Sequence, residues 1–172
     1  MLGKFNIREK VLEVVFKWPT TEFTVRDLAK RVKASAPTIS KIVKDLEKEG
    51  IVKIKKEKNY FKITGNVENE KFRELKRAYN ILSLSELKNE IVRNVSPNLI
   101  CVFGSYAFGE DIEDSDIDIF VEADKYPDID LSTFERKLNR KIHLIVGRLE
   151  KMPKELKESI LSGVVLYGSV KI

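Results

Sequence analysis

The 172-residue sequence contains no glutamine, one cysteine, one histidine and one tryptophan, and no apolar run long enough to span a bilayer. A single cysteine, Cys101, excludes an intrachain disulfide and a multi-cysteine zinc site. Its setting in Leu99-Ile-Cys-Val-Phe103 reads as a small residue buried in a strand. The opening Met1-Leu-Gly-Lys-Phe5 lacks a signal-peptide layout, so a cytoplasmic protein with no membrane partner is expected. The missing glutamine beside abundant Lys and Glu is the bias of a thermophile. What is present is 42% apolar and 34% charged, enough for one full-sized domain or two small ones. The charge is uneven. Residues 1–65 hold 16 Lys/Arg against 8 Asp/Glu, a net +8, whereas residues 66–172 hold 16 against 19, a net −3. A basic first third suits a polyanion, and the acidic remainder suits a metal-bound ligand.

Helical spacing begins with Ile7, Val11, Val14 and Val15 on one face and stops at Trp18-Pro19. Thr24 then reads as an N-cap for a helix carrying Val25, Leu28, Ala29 and Val32 inward, with Asp27 in its first turn. After Lys33-Ala34, Ser35 is a second cap, Pro37 is tolerated in the first turn, and Ile39, Ile42, Val43 and Leu46 form a buried stripe ending before Gly50. Two strands follow, Ile51 to Lys56 and Asn59 to Thr64, around a turn at Glu57-Lys58-Asn59. This order, carried by "TVRDLAKRVKASAPTISKIVKDLEKEGIVKIKKEKNYFKIT", resembles a winged helix-turn-helix DNA-binding domain. The resemblance implies double-stranded DNA as a partner, with the third helix in the major groove. Ser35, Thr38, Ser40, Lys41 and Lys44 would face the bases and phosphates, while Lys53, Lys55, Lys56 and Lys58 of the hairpin would meet the flanking backbone.

A charged helix from Glu68 to Leu82 is expected next, with Phe72, Leu75, Tyr79 and Leu82 forming a narrow apolar seam. That seam suits either docking within the chain or pairing with a twin. A homodimer fits the two half-sites that such DNA readers use. The resulting division is 1–65, a linker helix at 66–82, and 83–172.

Ser83 and Glu86 have capping-box spacing for a helix of Leu84, Leu87, Ile91 and Val95. The buried strand at Leu99 to Phe103 then runs into Gly104-Ser105. Beyond an acidic loop of Glu110, Asp111, Glu113 and Asp114, a second strand from Ser115 to Val121 puts Asp116 and Asp118 on one face by alternation. Gly104 lets backbone approach a phosphate, Ser105 adds a hydroxyl donor, and two carboxylates two apart suit a hard cation such as Mg2+ or Mn2+. That combination suits nucleotidyl transfer.

The run "CVFGSYAFGEDIEDSDIDIFVE", Cys101 to Glu122, resembles the DNA polymerase β-like nucleotidyltransferases, in particular the minimal ones. The resemblance spans roughly 84–170 and includes "SGVVLYG". It implies an α+β chain whose C-terminal part is a small mixed sheet flanked by helices. It also implies that Gly104 and Ser105 bind a nucleoside triphosphate and that Asp116 and Asp118 hold the metal. The family's third metal carboxylate falls, in Lys141-Ile-His-Leu-Ile-Val146, on His143, the sole histidine. Imidazole is a poor oxygen-ligand substitute for Mg2+, yet it can serve as a base. Two readings stay open. One is a DNA-binding regulator that transfers AMP to a hydroxyl acceptor, such as a toxin-like partner protein. The other is an inactive transcription regulator whose second domain senses nucleotide or dimerises.

Overall fold

The computed structural model describes residues 6–58 and 60–170. Met1 to Phe5, read above against a signal peptide, lie outside the described residues, as does Asn59 of the expected turn. The chain divides into two compact units, Met1–Lys76 and Arg77–Ile172. Among the described residues no helix is long and apolar enough to cross a membrane.

In the first unit α1 (Ile7–Lys17), α2 (Val25–Val32) and α3 (Ala36–Lys48) precede a hairpin of β1 (Val52–Glu57) and β2 (Tyr60–Gly65). Each helix starts on a polar cap. Asn6 with Glu9 and Thr24 with Asp27 make reciprocal capping boxes, and Ser35 accepts from the Thr38 amide. Lys33, at φ +56°, supplies the left-handed turn between α2 and α3. Val11, Leu28, Ile39, Leu46 and Ile63 are buried, which closes the three helices on the hairpin. Phe23 adds a short third strand that no pattern announced, exchanging amide bonds of 2.9 and 2.8 Å with Ile63.

The connecting helix α4 covers Glu70–Ser83, and the boundary between the units falls within it. The expected seam divides. Phe72 is buried and meets Phe16 edge-on at 5.4 Å, but Leu75 and Leu82 are 39% and 56% exposed. Buried positions recur instead at Phe72, Lys76 and Asn80, four apart, because two polar side chains take the inward places.

The second unit holds α5 (Ser85–Val95), β3 (Leu99–Phe103), α6 (Gly104–Phe108), β4 (Ile117–Glu122), α7 (Leu131–Leu138), β5 (Ile142–Gly147), α8 (Lys154–Ser162) and β6 (Val164–Gly168). The sheet order is β5-β4-β3-β6. β3 is antiparallel to both neighbours, and β4 is parallel to β5. One face packs Ile100, Val102, Ile117, Ile119 and Leu144 with Leu87 and Ile91 of α5. The other packs Cys101, Phe103 and Phe120 with Ile160 of α8. The capping box expected at Ser83 does not form. Ser83 ends α4, its hydroxyl donating to the Asn80 carbonyl at 2.6 Å, and Glu86 pairs with Lys137. A helical turn already in progress leaves Ser83 no extended backbone from which to cap α5.

Candidate nucleotide site and nucleic-acid face

Strand register assembles the centre of the site. Phe103 lies opposite Asp118 across β3 and β4, and Asp118 lies opposite His143 across β4 and β5. Alternation sends Ile117, Ile119 and Leu144 into the core on one face, leaving Asp118 and His143 together on the other. The His143 Nδ1 is 3.3 Å from Asp118 Oδ1. A carboxylate only accepts, so Nδ1 is the donor in this bond. The other carboxylate oxygen faces Gly104, where a Cβ would sit 2.8 Å from Asp118 Oδ2. Gly104 also has φ +69°, so both its backbone and its missing side chain are required here. Asp118 and His143 side chains remain 32% and 66% exposed, open to a ligand.

Ser105 follows Gly104 in the first turn of α6, which begins without a side-chain cap. Asp116 stands one residue before β4 rather than within it, and it is exposed. It lines a cleft of about 510 Å³ with Ser115, Arg136 and Lys141, whereas Asp118 is not part of that lining. The structure therefore brings Gly104, Asp118 and His143 together, with Asp116 beyond the end of the same strand. Among the described residues no three His, Cys, Asp or Glu side chains gather into a metal-holding group. The Asp118 carboxylate beside the Gly104 cradle nonetheless offers hard oxygen of the kind taken by a cation whose other ligands come from phosphate and water.

Behind the site lies a buried polar cluster that local patterns did not reveal. Asp111 looked like one more acid of the loop, but it is only 2% exposed. Its carboxylate accepts from Asn80 Nδ2 at 2.7 Å and from the Arg140 guanidinium at 3.3 Å, and Asn80 also donates to the Tyr106 carbonyl at 2.9 Å. Burial pushes the Tyr106 hydroxyl up to about 12, although its bond with Ser83 opposes the shift. The one available signal was the four-residue spacing of Phe72, Lys76 and Asn80.

On α3, Thr38, Lys41 and Lys44 are exposed and Ser40 is half-buried. The Ser35 hydroxyl is engaged at the cap, 2.7 Å from that of Thr38. The hairpin lysines differ in their availability. Lys53 pairs with Glu68, and Lys55 lies 3.7 Å from Glu57. Among the described residues no carboxylate pairs with Lys41, Lys44, Lys56 or Lys58.

A mixed sheet presenting glycine-serine beside a strand that Asp-x-Asp leads into is the arrangement of a nucleotidyltransferase fold. Residues 85–171, half of the chain, match the family described as polymerase beta, nucleotidyltransferase, and the chain belongs to it. Residues 23–53 match the winged helix-turn-helix DNA-binding family, so a winged helix precedes the transferase domain. Over 68 residues the chain is 44% identical to a Methanocaldococcus jannaschii protein provisionally named a protein adenylyltransferase, a match covering 36% of this chain and 78% of that one. Among solved structures, a mutant form of the MntA-HpeT toxin-antitoxin is 23% identical, covering 54% of this chain and 73% of that chain with a TM-score of 0.38, too low to bear on function.

Proposed function

We propose that the second unit binds a nucleoside triphosphate and transfers its nucleotidyl group, as AMP, to a hydroxyl on a protein, while the winged helix binds double-stranded DNA as a regulator's operator reader. The observation that carries the transferase reading is the Asp118 carboxylate held between Gly104 and His143. Gly104 admits the triphosphate close to the backbone, and the Ser105 hydroxyl donates to a phosphate oxygen. Asp116 and Asp118 would hold a divalent cation, Mg2+ or Mn2+, which supplies charge neutralisation of the triphosphate and its leaving pyrophosphate. The acceptor hydroxyl gives up its proton to solvent as its oxygen bonds to the α-phosphorus, and pyrophosphate departs with the electron pair of the broken α–β phosphoanhydride bond. His143 keeps the Asp118 carboxylate aimed at the site through its Nδ1. The protein acceptor is supported by the name of the 44% identical relative, and a toxin-like partner is the acceptor we favour. Two copies on two half-sites is the assembly we propose for DNA.

A second reading is favoured by His143 itself. It stands where the family's third carboxylate belongs, in a site with no three-ligand group among the described residues. A domain so altered would bind nucleotide without turnover and serve the regulator as a sensor. Incubation with α-labelled ATP, a divalent cation and candidate partner proteins separates the two. The transferase reading expects covalent label that disappears in Asp116→Ala and Asp118→Ala, whereas label that appears only in His143→Asp would identify the missing third carboxylate as the defect of an inactive domain. Saturable ATP binding with no label in any mixture would leave the sensor.

A further inference from the structure

We propose that the acceptor is a polypeptide segment entering by the cleft between the loop at 113–116 and α7, where Asp114 and Arg136 select residues of opposite charge beside its hydroxyl. This rests on the transferase function proposed above and adds the path and the chemistry of the second substrate.

Strand order fixes the direction of approach. In the order β5-β4-β3 the run Asp116-Ile117-Asp118 has Gly104 on one side and the start of β5 on the other. Phe103, next to Gly104, lies opposite Asp118, and the Lys141 carbonyl accepts from the Ile117 amide at 2.8 Å. Transfer to a hydroxyl sets the incoming oxygen and the leaving pyrophosphate roughly in line across the α-phosphorus. A pyrophosphate held at Gly104 and Ser105 occupies the β3 side, so the hydroxyl comes from the β5 side. The cleft of about 510 Å³ opens there. Its lining runs from Asp116 to Lys141 and α7 and includes neither Gly104 nor Ser105. That size lies within the roughly 300–1,000 Å³ of ligand clefts, room for a few side chains rather than a folded surface.

Several charges lining the cleft are already engaged. Arg140 is buried against Asp111 at 3.3 Å. Lys141 lies 3.2 Å from Glu135 Oε2, and the other oxygen of Glu135 accepts from the Ile142 amide at 3.0 Å. Asp114 and Arg136 differ. Both are exposed, and among the described residues neither forms an ion pair. Arg136 donates to the Ser132 carbonyl at 3.3 Å and to the Thr133 hydroxyl at 3.4 Å, neutral acceptors on its own helix that leave its charge for a ligand. The cleft therefore offers one acid and one base beside the way to Asp116. A nucleic-acid 3′-hydroxyl would carry its phosphates past Glu113 and Asp114, an approach that like charges oppose. A peptide with a basic residue on one side of its hydroxyl and an acidic residue on the other satisfies both groups.

The test gives the full chain α-labelled ATP, Mg2+ or Mn2+, and a panel of synthetic peptides, with a single-stranded RNA bearing a free 3′-hydroxyl alongside. Each peptide holds one Ser, Thr or Tyr flanked by an acid and a base, by acids, by bases or by neutral residues. Peptides with neighbours of both signs are expected to take label about threefold or more faster than neutral ones, the scale of exposed ion pairs. Arg136→Glu is expected to turn the preference for an acid into one for a second base, and Asp114→Lys to turn the preference for a base into one for a second acid. Calorimetry is expected to find wild-type ATP affinity in both variants. Equal labelling of all peptides, or unchanged preferences in the variants, overturns the cleft assignment and leaves the transferase standing. Label on the RNA in place of the peptides does the same. So does lost ATP affinity in a variant with unchanged circular dichroism, which would put the nucleotide in the cleft. Intact ATP binding with no label on any acceptor removes the transferase reading and this path together.

Discussion

At the scale of single residues, Gly104 shows why residue type and backbone conformation must be considered together. Its φ of +69° disfavours any other residue, and a methyl group there would stand 2.8 Å from Asp118 Oδ2. Gly104→Ala is therefore expected to destabilise the fold by about 1–2 kcal/mol from the left-handed backbone alone. It should also displace the Asp118 carboxylate, so a nucleotide titration is expected to lose affinity beyond what a thermal melt accounts for. Full nucleotide affinity in that variant would separate Gly104 from the site. Cys101 behaves as its apolar neighbours indicated. It is 1% exposed, its thiol donates to the Ile160 carbonyl at 3.1 Å, and burial pushes it up to about 11. Asp111 is the opposite case. Nothing in its immediate sequence separates it from Glu110 or Glu113, because what distinguishes it is burial against Asn80 and Arg140.

At the scale of elements, success and failure of the local patterns have one cause. Thr24 and Ser35 follow non-helical residues, and both cap the helices expected of them. Ser83 has the same spacing to an acid, yet it is still inside α4 and caps nothing. A cap needs extended backbone, and whether the preceding helix has stopped is decided by its packing. The Thr24 cap gives a measurable expectation. The Thr24 hydroxyl, and then its backbone amide, hold the Asp27 carboxyl below its ordinary value of 3.8. A depressed folded value stabilises above the ordinary value and is lost as pH falls through the depressed one. Thr24→Ala is accordingly expected to cost about 1 kcal/mol near neutral pH in denaturant unfolding. The deficit should shrink as pH drops below 3.8, and a deficit that grows in acid would show that the cap does not depend on the charged carboxylate.

At the scale of the whole molecule, a basic winged helix and a slightly acidic nucleotidyltransferase domain share one helix, α4, and the boundary between them lies between Lys76 and Arg77. The charge of the first unit matters for DNA chiefly where it is not already paired. Lys41 and Lys44 on α3 satisfy that condition, whereas Lys53 does not. Lys41→Ala/Lys44→Ala is expected to reduce the salt slope of duplex binding by about two, because each neutralised phosphate releases roughly one counterion. An unchanged slope would move the DNA face away from α3.

What the sequence determined by itself is what short spacings fix wherever the preceding chain leaves them free to act. Helix caps, apolar stripes, the hairpin, and the alternation that puts Asp118 opposite in sense to Ile117 and Ile119 all follow from short spacings and the fixed periods of helix and strand. The tertiary structure alone decided which groups meet across those elements. The order β5-β4-β3-β6 brings His143 beside Asp118, and burial turns Asp111 inward to Arg140. These are relations between segments far apart in the chain, governed by strand order and exclusion of water, and no local period records them.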